Sequence, residues 1–110
     1  MDINTVQIPS GSYVRGTKVN ISVRAQASAG TTISVVRVIA QPFCGDGDIN
    51  LTLSSGTNSD GTYSGTVDTN NCRRAGNTIL WPVGQTYLAM YVYGGNGATS
   101  FIAGEFNITD

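Results

Sequence analysis

The sequence predicts an all-β domain, and three observations carry that prediction. Four runs place an apolar or small residue at every second position: Val19-Ile21-Val23-Ala25, Ile49-Leu51-Leu53, Tyr63-Gly65-Val67 and Gly104-Phe106-Ile108. Clusters of Gly, Ser, Asn and Asp separate the runs, and no segment carries sustained helical spacing. A side-chain period of two gives each run one buried and one wet face, which is the signature of a half-buried strand. The 110 residues suffice for one core and not for two, so residues 1–110 are expected to form a single domain.

The first predicted strand, Thr5 to Ile8, ends at Pro9, which has no N–H to give to a ladder. The second runs Lys18 to Gln26, and the third runs Thr32 to Gln41, stopped by Pro42. Asp48 to Ser54, Thr62 to Asp68, Gln85 to Tyr93 and Thr99 to Thr109 complete the set. The third and sixth strands are apolar on both parities, through Val35, Val36 and Val38 and through Tyr87 to Tyr91. Such continuity marks central strands with little wet face. Tyr87, Tyr91 and Tyr93 share one parity, so some or all of them are expected in the core. Seven short strands joined by turn sequences predict an immunoglobulin-like antiparallel β-sandwich of about seven strands.

Cys44 and Cys72 fall in two connections, third-to-fourth and fifth-to-sixth, that this topology places at one pole. A bond between them is geometrically reasonable and would stabilise the fold by roughly 3–4 kcal/mol on the chain-entropy estimate. It implies an oxidising compartment. Two free thiols in a cytosolic protein are the alternative. Met1-Asp2-Ile3-Asn4 has neither the basic start nor the apolar stretch of a signal peptide. The expectation is a domain of a longer secreted chain, with Met1 added for expression.

The order of four motifs resembles bacterial and archaeal immunoglobulin-like, or fibronectin-III-like, modules of surface and secreted proteins. They are Gly16-Thr17-Lys18-Val19-Asn20-Ile21-Ser22-Val23, Asp60-Gly61-Thr62-Tyr63-Ser64-Gly65-Thr66-Val67, Tyr91-Val92-Tyr93-Gly94-Gly95-Asn96-Gly97-Ala98 and a closing Phe106-Asn107-Ile108. The resemblance covers about three-quarters of the chain. It implies a tandem or appended module and carries no catalytic residues. The cysteine-bearing segment after Pro42 and the long connection Asn70 to Gly84 depart from the simple module.

Composition excludes several functions. Charged residues are 12% of the chain and the net charge is −1, with only Arg73-Arg74 adjacent, so no electrostatic footprint for nucleic acid exists. No apolar stretch approaches the ~20 residues of a membrane-spanning helix. Histidine is absent, which removes the commonest general base and metal ligand. The seven acids do not form a facing pair in any predicted cleft, so no enzyme and no cofactor are expected.

The remaining candidate sites are modest. Asp46, Asp48 and Asn50 place oxygen side chains at alternating positions, as at the start of a calcium loop. Leu51 and Thr57 stand where such a loop wants Gly and Glu, Asp-Gly is an ordinary turn pair, and Arg73-Arg74, brought close if the disulfide forms, would satisfy the acids without a metal. Trp81, Tyr91 and Tyr93 are candidate stacking surfaces for a sugar ring, with Trp81 alternatively plugging the end of the sandwich. Asn20, Asn50 and Asn107 head N-glycosylation triplets on outward parities. Lys18, the only lysine, is expected to point outward. The Gly-rich pole, with Ser28-Ala29-Gly30-Thr31, Ser55 to Gly61 and the Asn96-Gly97 turn pair, lacks anchors for binding. The expected function is a non-catalytic structural or adhesion module of a cell-surface or secreted protein: a spacer, stalk or assembly unit. Its partners would be neighbouring domains of the same chain or protein and glycan ligands at a surface. A carbohydrate-binding module of a secreted hydrolase is the alternative.

Overall fold

The computed structural model describes residues 2–95 and 97–110, so the turn expected at Asn96 lies outside the described residues. Ten strands follow in order: β1 (Asp2–Gln7), β2 (Ser12–Val14), β3 (Lys18–Gln26), β4 (Ile33–Gln41), β5 (Ile49–Gly56), β6 (Asp60–Asp68), β7 (Asn71–Arg74), β8 (Asn77–Leu80), β9 (Gly84–Gly94) and β10 (Gly97–Thr109). A 3₁₀ turn, Gly45–Gly47, sits between β4 and β5. The seven predicted strands are β1, β3, β4, β5, β6, β9 and β10, with ends displaced by at most a few residues. The protein is an immunoglobulin-like β-sandwich.

Hydrogen bonding runs β1-β3-β6-β5-β4-β9-β10-β2, and β7-β8 form a separate hairpin. The two layers are joined because β5 changes partner midway. Ile49–Leu51 pair with Val38–Val36 of β4, whereas Thr52–Gly56 pair with β6 across a register shift between Leu53 and Ser55. Bulges of this kind turn a strand from one layer into the next. The chain also changes layer near its start: β1 lies antiparallel on β3, the chain passes Pro9, and β2, a strand not predicted, lies parallel on Asn107–Thr109 of β10.

The core forms where the inward parities meet. Val19, Ile21, Val23 and Ala25 of β3 face Val36, Val38 and Ala40 of β4, Leu88, Met90 and Val92 of β9, and Phe106 and Ile108 of β10, all buried. One expectation is corrected here. The parity of β9 that enters the core carries Leu88, Met90 and Val92, so Tyr87, Tyr91 and Tyr93 lie on the outside. Both parities are apolar, and only the pairing of β9 with β4 and β10 decides which one turns inward.

Cys44 and Cys72 are disulfide-bonded, with Cα atoms 4.7 Å apart. Both are fully buried members of the core cluster, Cys72 on β7 and Cys44 in the β4–β5 connection just before the 3₁₀ turn. Below them Trp81 closes the sandwich end. It is 1% exposed, and a Cβ on Gly47 would come within 2.8 Å of its ring, so only glycine fits there. Thr69, also buried, donates its hydroxyl to Thr17 O at 2.7 Å and accepts the N–H of Gly16 at 3.1 Å. Among the described residues no buried side-chain nitrogen or oxygen lacks a hydrogen-bond partner, as low dielectric requires.

Candidate functional site

The outer face of β4, β9 and β10 carries the most distinctive chemistry of the surface. Cross-strand register builds it in rows. Val35, Tyr93 and Ala98 form one row; Arg37, Tyr91 and Ser100 the next; Ile39, Ala89 and Ile102 the third. Gln41, Tyr87 and Glu105 make the last row, beyond a register shift between Ile102 and Gly104. Ile102 is 63% exposed and Tyr87 38% exposed, while Val35, Ile39, Tyr91 and Tyr93 are half-buried. Directly opposed side chains sit within contact distance, so each row is a continuous strip.

Two features give this face definition. The rings of Tyr91 and Tyr93 stack with centroids 6.4 Å apart and planes at 24°. Beside them Arg37 donates Nε and one terminal N–H to the two oxygens of Asp48 at 2.8 and 2.7 Å. The hydrogen bonds and charge of Asp48 push the guanidinium even further toward its charged form, with a smaller contribution from Tyr93. Arg37 in turn holds the Asp48 carboxyl below its usual range, against the opposing effect of burial. A two-pronged pair of this geometry fixes the guanidinium plane, leaving a rigid cation next to a rigid aromatic pair.

The other predicted site residues are dispersed. Trp81 is corrected as a sugar platform: its ring is buried and its indole N–H donates to Thr86 Oγ1 at 3.2 Å. Burial of so large a surface under the disulfide outweighs any exposed use. Asp46 turns to Arg73 at 2.9 Å and Asp48 to Arg37, so the two aspartates face different cations, and Asn50 is exposed on β5. Arg74 donates to Phe43 O at 2.6 Å instead of to an acid. Among the described residues no three acidic, cysteine or histidine side chains converge on one point. Lys18 and Asn20 are exposed, and Asn107 is half-buried against β2. The outer face of β3 and β6 carries a shallow depression of about 350 Å³, bordered by Gln7, Asn20, Ser22, Ser64 and Thr66.

The three Gly-rich connections do gather at one pole. Ala27 N–H donates to Ser59 O at 2.8 Å, Ile33 N–H to Asn58 O at 2.7 Å, and Gly95 N–H to Thr32 O at 3.3 Å. These bonds spend the loops' backbone on one another. They hold small side chains, with no aromatic or arginine among Ser28–Thr31 or Ser55–Ser59.

No family model matches the chain, and no curated protein matches it. Among solved structures it is similar to one described as "Structure or murine CRIg", at a TM-score of 0.42 and 10% identity over 100% of both chains. A likeness that slight carries no argument about function.

Proposed function

We propose that the chain is a non-catalytic structural and adhesion module of a cell-surface or secreted protein. In this reading it engages a neighbouring domain or a protein surface through the tyrosine-bearing face of β4, β9 and β10. The observation that carries the proposal is that a central sheet has apolar and aromatic residues on both its faces while only one face has a core to enter. Tyrosine and arginine are the side chains that most often anchor interfaces, because they bury large area at small entropic cost. The acids support a non-catalytic role. Asp46, Asp48, Asp60 and Asp110 are each paired with an arginine, which commits them to structure. The disulfide supports an oxidising, extracellular setting.

The test compares the native domain with Tyr91→Ala/Tyr93→Ala, both labelled, titrated onto intact cells of the source organism and onto insoluble polysaccharides. Loss of the stacked pair is expected to weaken cell binding by about tenfold or more, the effect of truncating anchor residues. Undiminished binding by the double variant would remove the face from this role. The alternative, a carbohydrate-binding module, draws on the same Tyr91–Tyr93 stack. It requires binding to a polysaccharide that survives protease treatment of the cells.

A further inference from the structure

The edge of the sheet beside this face carries its own chemistry. β10 is the longest strand, yet β2 covers only its last residues, Asn107–Thr109. Ile8 and Pro9 lie against Gly104, and Gly11 O accepts the N–H of Asn107, so the edge is occupied from Gly104 onward. From Gly97 to Ala103 β10 pairs with β9 on one side only. Among the described residues, the backbone N–H and C=O groups that point away from β9 in this stretch have no partner. Its sequence, Gly-Ala-Thr-Ser-Phe-Ile-Ala, contains no charge and no proline, the devices that normally keep an edge from pairing. The opposite edge is different: β1 opens on Asp2, is broken by a register shift between Thr5 and Gln7, and runs into Pro9.

We infer that this edge pairs with the same edge of a second copy, antiparallel about a twofold axis at Ser100. Unpaired backbone groups in a row accept one kind of partner, an extended strand. The side chains favour a second copy as its source. Ser100 is the centre of the free stretch, so a twofold there pairs all of Gly97–Ala103, from the first residue of β10 to the residue before Gly104. It sets Ala98 opposite Ile102 of the second copy on the outer face, and Thr99 opposite Phe101 on the inner. Each pair matches a small or β-branched residue with a large one, and none places like charges together. Because Ala98 already lies beside Tyr93, the pairing extends the Val35–Tyr93–Ala98 row into Ile102 of the second copy. The two tyrosine faces become one broad sheet surface. This pairing does not require the tyrosine face to have a ligand.

Sedimentation of the full chain tests it, with Ser100→Lys, Ser100→Glu and their equimolar mixture. Ser100 is exposed, and melting curves verify that each variant is folded. The native chain is expected as a concentration-dependent dimer. Each variant, placing like charges directly opposite, is expected at monomer mass, and the mixture regains dimer mass through Lys–Glu pairing. A native chain that stays monomeric at its solubility limit overturns the inference. So does a dimer that persists in both single variants, or one lost only in Tyr91→Ala/Tyr93→Ala.

Discussion

The two layers of this sandwich bury equivalent inner faces and present opposite outer ones. On β3 and β6 the outward side chains are Lys18, Asn20, Ser22 and Arg24 opposite Asp68, Thr66, Ser64 and Thr62. They satisfy one another locally, as where Thr66 donates to Asn20 Oδ1 at 2.9 Å. On β4, β9 and β10 the corresponding positions hold Val35, Ile39, Ala89, Tyr91, Tyr93 and Ile102. Water accounts for the first pattern and the shared core accounts for neither. The second pattern is what a sheet looks like when both of its faces are to be covered. Folding needs only the inner parity, and the outer apolar rows are the surface on which the proposed association rests.

Adjacent parities of β9 separate the two faces by their contribution to stability. Leu88→Ala empties a fully buried position and is expected to cost about 3–5 kcal/mol in denaturant unfolding. Tyr91→Ala, three residues along on the outer parity, is expected to cost no more than about 1 kcal/mol. Similar losses at the two sites would mean that the outer face is a working part of the core, and the contrast between layers would fail.

A smaller effect tests the same contrast from the surface. Val35→Thr combined with Ile102→Ser gives the aromatic layer the chemistry of its opposite. Stability is expected to change by about 0.5 kcal/mol or less per position. Binding of a hydrophobic dye such as anilinonaphthalene sulfonate to the folded chain is expected to fall. Dye binding that is unaffected would show that the rows do not act as an apolar surface.

Much of this architecture is legible in the sequence because period-two alternation depends only on which residues enter a core. β3 matches its predicted bounds, Lys18–Gln26, since its polar and apolar residues alternate without interruption. Two elements escape for different physical reasons. β2 is three residues long and exists because Asn107–Thr109 lie beside it, which no local pattern records. The β7–β8 hairpin turns through Ala75 and Gly76, at φ of 48° and 82°. That turn wants Asn-Gly or Gly-Gly, and Ala-Gly does not advertise it. The candidate face escapes because alternation is uninformative where both parities are apolar: Leu88-Met90-Val92 and Tyr87-Tyr91-Tyr93 are equally acceptable inward. The disulfide is readable because the connections that carry Cys44 and Cys72 share a pole, which brings their Cα atoms within bonding reach.

The finest comparison is between two arginine–aspartate pairs, one for each outer face. Arg24 holds Asp60 through two bonds of 2.8 and 2.7 Å, as Arg37 holds Asp48. Both carboxyls lie below their usual range, chiefly because of these arginine hydrogen bonds. A carboxyl depressed in the folded state contributes stability above the unfolded value, near 3.8, and loses it as pH falls through the folded value. The stability that both pairs contribute is therefore lost only in acid, below about pH 4. They differ in shelter: the Asp48 side chain is 22% exposed and that of Asp60 43%. Solvent and salt screen the second pair more. In thermal melts from neutral pH into acid, Asp48→Asn is expected to remove more of the acid-induced loss than Asp60→Asn, and added salt to erase the Asp60 contribution first. Equal, equally salt-sensitive losses would make the pairs interchangeable surface bridges. Because Asp48 fixes the guanidinium beside Tyr91, Asp48→Asn is also expected to weaken binding through that face, where Asp60→Asn leaves it intact.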